Sequence, residues 1–113
     1  FGSKNAERVL QFILARESAY AREIALFYNV SPSVIKKQLD KFEDANIIVG
    51  KDIGNIRMYE LNQRNSYNDE LISLLLKVRT NYEAEDRAKL VRKDRNRPRS
   101  KNKPLIQRRE LKE

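Results

Sequence analysis

The sequence predicts a mainly α-helical domain with one small β-hairpin: a three-helix core, two strands, and a long C-terminal helix. Apolar residues recur at helical spacing in three successive segments before residue 46, and a β-rich stretch containing Gly50 and Gly54 follows them. The composition agrees, because 113 residues with 35% charged residues, three glycines and three prolines suit a single helix-rich domain.

The first two helices are predicted from caps and apolar spacing. Ser3 is a good N-cap for a helix beginning at Lys4. The apolar face of this helix comprises Ala6, Val9, Leu10, Ile13 and Leu14. A second, shorter helix is expected over about residues 21–27, and its apolar cluster comprises Tyr20, Ile24, Ala25, Phe27 and Val30. Asn29 lies where a tight turn between helices favours positive φ, which Asn tolerates.

The third helix has the clearest start. Ser31 caps the helix and Pro32 fits the first helical position, where a missing amide proton costs nothing. The predicted apolar stripe consists of Val34, Ile35, Leu39 and Phe42. Asn46 is expected to end this segment in a left-handed conformation.

Two strands are expected after Asn46, over residues 47–51 and 56–61, with a glycine-containing turn over residues 52–55 between them. Helix, helix, turn, helix and hairpin is the order of a winged helix-turn-helix domain. In that fold the third helix enters the major groove of DNA and the hairpin, or wing, lies over the adjacent backbone.

A further helix is predicted from Asn68, an expected N-cap, through Tyr82 and towards residue 91. Its apolar residues occupy more than one face, which indicates either packing on its own wing or a two-fold dimer interface, with the dimer favoured. The interface would comprise Leu71, Leu75, Val78 and Tyr82. The predicted organisation is therefore a winged domain over 1–67, a dimerisation helix over 68–91, and a basic, poorly ordered tail over 92–113.

The charge is unevenly distributed. Residues 87–113 hold twelve of the 24 Lys and Arg residues against three acidic residues, a net charge of +9, whereas residues 1–86 carry −1. A basic tail of this kind predicts sequence-independent contacts with DNA phosphates, which weaken steeply with salt. The alternative is a tail that improves solubility or binds a protein partner.

Composition also excludes several function classes. Because Cys and His are both absent, disulfides, thiol nucleophiles, histidine bases and the common zinc sites are excluded, and no metal or other cofactor is expected. No apolar run is long enough to cross a membrane, and no signal peptide is evident, so we expect a cytoplasmic protein. No phosphate-binding glycine loop or nucleophile with its base is present, so no enzyme activity is expected.

Two sets of residues resemble known families. The segment 31–48, SPSVIKKQLDKFEDANII, resembles the recognition-helix segment of ArsR- and MarR-like transcriptional regulators. The wider arrangement over roughly residues 1–80 resembles small prokaryotic ArsR-like winged-helix proteins associated with nucleotidyltransferase gene neighbourhoods. It rests on FGSKN at 1–5, Tyr20, EIA at 23–25, Gly54, Arg57, Tyr59, LN at 61–62 and EL at 70–71.

The resemblance implies a DNA-binding regulator that acts by occupying a promoter. The sequence departs from that group at Asn46, where glycine is usual, and at 63–65, where proline and aromatic residues are usual. Unlike classical ArsR metal sensors, it has no cysteine in the recognition helix, so a thiophilic metal is not the expected inducer.

The candidate DNA contacts lie on the third helix and the wing. On the helix they are Ser31, Ser33, Lys36, Lys37, Gln38 and Lys41, and on the wing they are Lys51, Asn55 and Arg57. Gln38 is of a type that forms paired hydrogen bonds with adenine, whereas Lys41 is better placed for a phosphate. The alternatives are an ordinary solvated helix face, and an Arg57 that pairs with Asp52 or Glu60.

The sequence therefore predicts a transcriptional regulator that binds double-stranded DNA as a homodimer. A winged-helix module that binds protein, such as an antitoxin-like partner of a toxin or nucleotidyltransferase, is the alternative. RNA binding ranks lower because Tyr20, Phe27, Phe42 and Tyr59 are expected to pack in the core rather than to stack on bases.

Overall fold

Five helices and one antiparallel hairpin make up residues 3–91, the part of the chain that the computed structural model describes. The elements are α1 (Lys4–Arg16), α2 (Ala21–Tyr28), α3 (Pro32–Asp44), β1 (Ile48–Ile53), β2 (Ile56–Leu61), α4 (Asn68–Arg79) and α5 (Ala84–Val91). The order agrees with the predicted winged helix-turn-helix as far as α4. The predicted basic tail over 92–113 lies outside the described residues.

The predicted caps at Ser3 and Ser31 and the predicted turns at Asn29 and Asn46 are confirmed. The Oγ atoms of Ser3 and Ser31 each accept a hydrogen bond from the amide three residues later, at 3.1 Å and 3.4 Å. Pro32 is the first residue of α3. Asn29 and Asn46 have φ values of 57° and 63°, so both hold the left-handed conformation that turns the chain after a helix.

The core is built around α1, which contacts all four other helices and β2. Ala6, Val9, Leu10 and Ile13 are buried as expected. Phe12 is also fully buried, although it falls outside the predicted stripe. Its ring meets that of Phe27 edge-on at 5.2 Å between centroids, because α2 crosses α1 at this point. Phe42 and Tyr59 are buried as expected, whereas Phe27 lies at the rim of the core.

The hairpin is fixed to the helices along one face. Ile48 and Tyr59 are buried on this face, and backbone hydrogen bonds in both directions between Tyr59 and Ala19, at 2.8 Å and 3.0 Å, join β2 to the loop after α1. Gly54, with φ of +62°, makes the two-residue turn together with Asn55. The wing is therefore held at a defined position beside α3.

The prediction of one continuous helix from 68 to 91 is wrong, because α4 ends at Arg79 and α5 begins at Ala84. The break turns Tyr82 towards α1, where its hydroxyl donates to Glu7 Oε2 at 2.6 Å. Burial and this hydrogen bond raise the pKa of Tyr82. Arg87 Nη1 donates to the carbonyl of Tyr82 at 2.7 Å and so satisfies a backbone acceptor that the break exposes.

The predicted dimer stripe faces its own chain. Leu75 is fully buried, and its carbonyl accepts a hydrogen bond from Nε2 of the buried Gln11 at 2.8 Å. Leu71 and Tyr82 pack against the same core, and Val78 is half-buried. Assigning Leu75 to a dimer interface was wrong, because the packing of α4 on α1 leaves no surface of this side chain for a second copy.

The expected N-cap of α4 is also corrected. Asn68 is the first residue of α4 rather than its cap. The side chain of Asn65 instead makes the turn before the helix, since its Oδ1 accepts from the amide of Tyr67 at 2.9 Å. The Asn68 side chain is 6% exposed, and within residues 3–91 its Oδ1 atom has no hydrogen-bond partner.

Candidate nucleic-acid interface

The outer surface of α3 is predominantly polar. Ile35, Leu39 and Phe42 hold the helix on the core. The exposed residues on α3 and its cap are Ser31, Pro32, Ser33, Val34, Lys36, Lys37, Asp40, Lys41 and Asp44. Val34 was expected in the buried stripe but is 37% exposed, because it lies on the flank of the helix. The structure thus presents a hydrophilic helix face beside the wing.

Ser33, Lys37 and Lys41 form a row along this face, because residues four apart lie one above another on a helix. Among residues 3–91, no carboxylate lies within ion-pair distance of Lys37 or Lys41. Lys41 Nζ lies 5.8 Å from the centroid of the Phe42 ring, so its stem follows the core edge while its ammonium group stays exposed. These two ammonium groups are available to an anion without breaking an existing pair.

Lys36, unlike Lys37 and Lys41, already has an ion-pair partner within residues 3–91. Its Nζ atom pairs with Asp40 Oδ1 at 2.9 Å, one turn along the same helix. This hydrogen bond raises the pKa of Lys36 above the ordinary value. A DNA phosphate must compete with Asp40 for this ammonium group, so Lys36 is expected to contribute less than Lys37 or Lys41.

Gln38 is half-buried and does not present its whole amide group to solvent. Its side chain turns towards the body, and its Oε1 atom is shielded from solvent with no hydrogen-bond partner within residues 3–91. Paired hydrogen bonds with adenine require both the oxygen and the nitrogen of the amide. Paired recognition of adenine by Gln38 therefore requires its side chain to turn outwards from this conformation.

Arg57 joins the wing to α3. Its Nη1 atom donates to Asp52 Oδ1 at 2.9 Å across the hairpin, and its Nη2 atom donates to Glu43 Oε2 on α3 at 2.5 Å. The bonds to Glu43 and Asp52 raise the pKa of Arg57. The alternative pairing with Asp52 is confirmed, whereas Glu43 was missed because no local sequence rule links residues fourteen positions apart. Arg57 thus orients the wing and is already engaged before any ligand binds.

Gly50 makes room for this contact. A Cβ atom at Gly50 would lie 2.8 Å from Arg57 Nε, which is closer than side chains pack. Because the atoms that this Cβ would meet are the flexible end of the Arg57 side chain, we expect Gly50→Val to displace the guanidinium group from Glu43 and to lower the denaturant midpoint of unfolding only slightly. Denaturant unfolding monitored by circular dichroism measures this. Lys51→Val, at the next and exposed position, is the matched control; equal stability of the two variants would contradict the role given to Gly50.

The tip of the wing carries the remaining candidates. Lys51 Nζ lies 3.6 Å from Glu60 Oε2, and both side chains are largely solvated, so this pair contributes little and yields readily to a phosphate. Asn55 is exposed in the turn. Ile53 is also exposed at the tip, an apolar residue that the sequence analysis did not assign to the interface.

The charges of the interface nearly cancel. α3 carries three lysines and three acidic residues, and the hairpin carries Lys51 and Arg57 against Asp52 and Glu60. The recognition surface is therefore not strongly electropositive as a whole. In the sequence, the concentrated positive charge lies in residues 92–113, with ten Lys and Arg residues against three acidic ones.

Residues 3–91 contain neither a membrane-spanning helix nor a cluster of metal-binding side chains. No helix within residues 3–91 is long and apolar enough to cross a bilayer. In the same range, no three His, Cys, Asp or Glu side chains converge to hold a metal ion.

Comparison with known proteins is informative only at the level of structure. No family model and no curated protein match the sequence. The adhesin competence repressor AdcR of Streptococcus pyogenes superposes with a TM-score of 0.51 at 12% identity, covering 76% of this chain and 72% of AdcR. ZitR of Lactococcus lactis, a zinc-responsive MarR family member, gives 0.48 at 16% identity over 76% of this chain and 67% of ZitR. An apo mutant of ZitR superposes with a TM-score of 0.46 at 14% identity, covering 75% of this chain and 73% of the ZitR mutant.

The AdcR superposition supports the fold that the element order indicates. At 12% identity, this similarity extends to architecture and not to ligands or targets. The predicted fold class, a mainly α-helical winged helix-turn-helix with one hairpin, is confirmed.

Proposed function

We propose that this protein is a sequence-specific transcriptional regulator that binds double-stranded DNA and acts in the cytoplasm by occupying a promoter. The observation that carries the proposal is the row of Ser33, Lys37 and Lys41 on the outer face of α3, beside a wing fixed by Arg57. In winged helix-turn-helix proteins this face enters the major groove. The proposal of an ArsR-like subtype rests on the wider resemblance over roughly residues 1–80.

The candidate residues take different roles in this proposal. Ser33 and Lys37, near the N-terminal half of α3, would meet base edges, whereas Lys41 would meet a phosphate. Ser31 is engaged as the cap of α3, and its Oγ also shares a hydrogen bond with Ser33 Oγ at 3.0 Å, so each of these hydroxyl groups keeps only part of its hydrogen-bonding capacity for DNA. At the wing, Lys51 and Asn55 would reach the backbone or the minor groove.

The protein-binding alternative receives less support from this face. A protein-docking helix normally presents a contiguous apolar patch. On the exposed side of α3, Val34 is the one large apolar residue within the described range. The lysine row is better suited to an anionic partner.

We infer that the protein is a homodimer, but through a different flank of α4 from the predicted stripe. Tyr67 and Leu74 are 49% and 50% exposed and lie seven residues apart, two turns along the same side. An exposed apolar flank on a helix outside the three-helix core suits a symmetric contact, and two-fold dimers are the commonest assembly. Two α3 helices would then meet half-sites separated by one turn of DNA, about 34 Å.

Replacing Leu74 tests this interface. We expect Leu74→Glu to weaken dimerisation at least about tenfold, because it would bury a carboxylate in an apolar contact. Sedimentation equilibrium over a range of protein concentrations measures the change. Leu76→Glu is the matched control, since Leu76 is 45% exposed but lies on the opposite flank of α4. If the wild-type protein is monomeric, or both variants behave alike, this interface is not used.

We further propose that residues 92–113 add phosphate contacts. A chain ending at Val91 keeps Leu90, which is buried and whose carbonyl accepts from Arg16 Nε at 2.8 Å, so the described core is retained. Each phosphate that a protein neutralises contributes about 0.9 to the slope of log affinity against log salt. With half of the ten basic residues engaged, the full chain should show a slope steeper by about 4.5 than the shortened chain.

The salt titration uses fluorescence anisotropy with one labelled duplex and both chains. Identical slopes would show that the segment instead serves solubility or a protein partner. A full-length variant with the ten Lys and Arg residues of 92–113 replaced by Gln is the matched control, because it retains the chain length and loses only the charge.

The experiment that tests the proposed function is selection from a pool of random DNA duplexes by the full chain. Enrichment of one site, with the inverted repeat that a two-fold dimer requires, is the expected result. A pool that stays random after repeated rounds, although DNA is retained at low salt, would leave only unspecific binding and would refute a sequence-specific regulator.

A further inference from the structure

The tip of the wing, residues 53–56, carries no charged side chain, although 35% of the residues in the chain are charged. Ile53 is the last residue of β1 and Ile56 is the first residue of β2, and the strand register places them opposite each other. Ile53 is 57% exposed, and the turn residues Gly54 and Asn55 are exposed beside it. The wing therefore ends in an apolar side chain next to an amide side chain.

The basic side chains of the wing lie behind this tip and are already paired. Arg57 is engaged by α3 and by the opposite strand, and Lys51 Nζ lies 3.6 Å from Glu60 Oε2. Lys51 and Ile53 share one face of β1 because they are two residues apart, and Ile53 lies about 7 Å nearer the tip. A phosphate on the rim of a DNA groove can therefore meet Lys51 while Ile53 reaches farther towards the bases.

The tip is held in a defined position from both ends of the hairpin. Gly54, with φ of +62°, makes a two-residue turn, and the strand pairing continues as far as Ile53 and Ile56. At the base of the hairpin, Tyr59 and Ala19 exchange two backbone hydrogen bonds. An apolar side chain on a fixed hairpin enters a groove without the ordering cost of a flexible loop.

We propose that Ile53 enters the minor groove of DNA beside the α3 half-site and partly unstacks one base step there. This inference rests on the proposed function, since it requires α3 to lie in the major groove. Isoleucine is among the apolar side chains that proteins insert between base pairs from the minor groove, and such insertion kinks the duplex. Asn55, beside it, carries both a donor and an acceptor for the base edges that this groove exposes.

The base step that Ile53 opens would be selected by its flexibility rather than by hydrogen bonds. TA and CA/TG steps are the most easily unstacked. The minor groove faces the protein about half a helical turn, or about 5 base pairs, from the centre of the major-groove contact. Ile53 would thus determine specificity at a flanking position that a wing tip contacting only phosphates leaves unread.

Permanganate footprinting of the selected duplex tests this inference. Permanganate oxidises unstacked thymine and attacks from the major groove, the side opposite the inserted side chain. TA and CA/TG steps each contain a thymine. The full chain is added at a concentration that saturates the duplex in fluorescence anisotropy. We then expect one thymine in each half-site, about 5 base pairs from its centre, to react at least about threefold faster than in free DNA.

Ile53→Val and Ile53→Thr form a matched pair of variants, since their side chains have the same shape and both favour a strand. Valine keeps an apolar surface, whereas threonine replaces one methyl group with a hydroxyl group. We expect Ile53→Val to retain at least about half of the added reactivity. Ile53→Thr should lose most of it and bind the selected duplex about three- to tenfold more weakly than the wild-type protein.

Two results would overturn this role of Ile53 and leave the proposed function standing. One is a saturated wild-type complex in which no flanking thymine becomes more reactive, and the other is equal thymine reactivity with the two variants. Failure of the proposed function gives a different result, because no duplex is then selected from the random pool. That result would refute the inference about Ile53 together with the proposed function.

Discussion

Replacing both Lys37 and Lys41 with alanine should lower affinity for the selected DNA site by about 30-fold or more. Each lost contact with a base edge or phosphate is expected to cost at least about 1 kcal/mol, and about 1.4 kcal/mol corresponds to a tenfold change. The two ammonium groups are exposed and unpaired among residues 3–91, so their contacts with DNA replace nothing within the protein. Alanine favours helices, so α3 should remain intact.

Fluorescence anisotropy with the selected duplex measures this loss, and circular dichroism confirms that the variant is folded. Lys36→Ala is the control within the same helix, because its pairing with Asp40 reduces what DNA can gain from it. We expect a loss of about threefold or less for this variant. Unchanged affinity in the double variant, or a larger loss from Lys36→Ala, would contradict the proposed contact face.

Leu75→Ala should lower the free energy of unfolding by about 2–5 kcal/mol, the range found when a fully buried leucine is truncated. Leu75 is 0% exposed and packs against α1 in its own chain. For a small domain this loss is a large part of the total stability.

Denaturant unfolding at several protein concentrations measures the effect of this substitution. Leu76→Ala is the matched control at the next position, and should cost about 1 kcal/mol or less because that side chain is 45% exposed. If Leu75→Ala instead leaves the unfolding of the monomer unchanged and weakens dimerisation alone, the original interpretation of this residue as an interface residue was correct.

Much of the fold was predictable because its signals are local. Ser31 followed by Pro32 starts α3, and Asn29 and Asn46 mark the turns after α2 and α3. The start of the helix and each turn depend on one residue and its immediate neighbours. Helical spacing identified the core face of α1. These patterns require no knowledge of what the segment packs against.

The errors arose where a distant contact decided the outcome. The break before α5 depends on Tyr82 reaching Glu7, 75 residues earlier, and no rule within one helix anticipates it. The sequence predicts a dimer contact for Leu75 because an apolar residue that packs on α1 gives the same sequence pattern as one that packs on a second copy. The structure shows that Leu75 is fully buried in its own chain.

The candidate DNA interface also combines features that local patterns predict with features that depend on distant contacts. Exposed lysines on α3 follow from helical periodicity, whereas the engagement of Arg57 by Glu43 required the positions of two elements. A sequence signal for it existed in Gly50, a small residue two positions along β1 from Asp52 and facing the same side of the hairpin as Arg57. The small size of Gly50 becomes informative only once the strand register shows that it faces Arg57.

The most direct test of the central claim is a map of amide ¹⁵N–¹H shifts in the full chain, titrated with the selected duplex. We predict the largest shifts at Ser33, Lys37 and Lys41 on α3, with a second group at Lys51 and Asn55 on the wing. Shifts confined to residues 92–113, with α3 and the wing unchanged, would contradict the claim that the winged domain reads DNA.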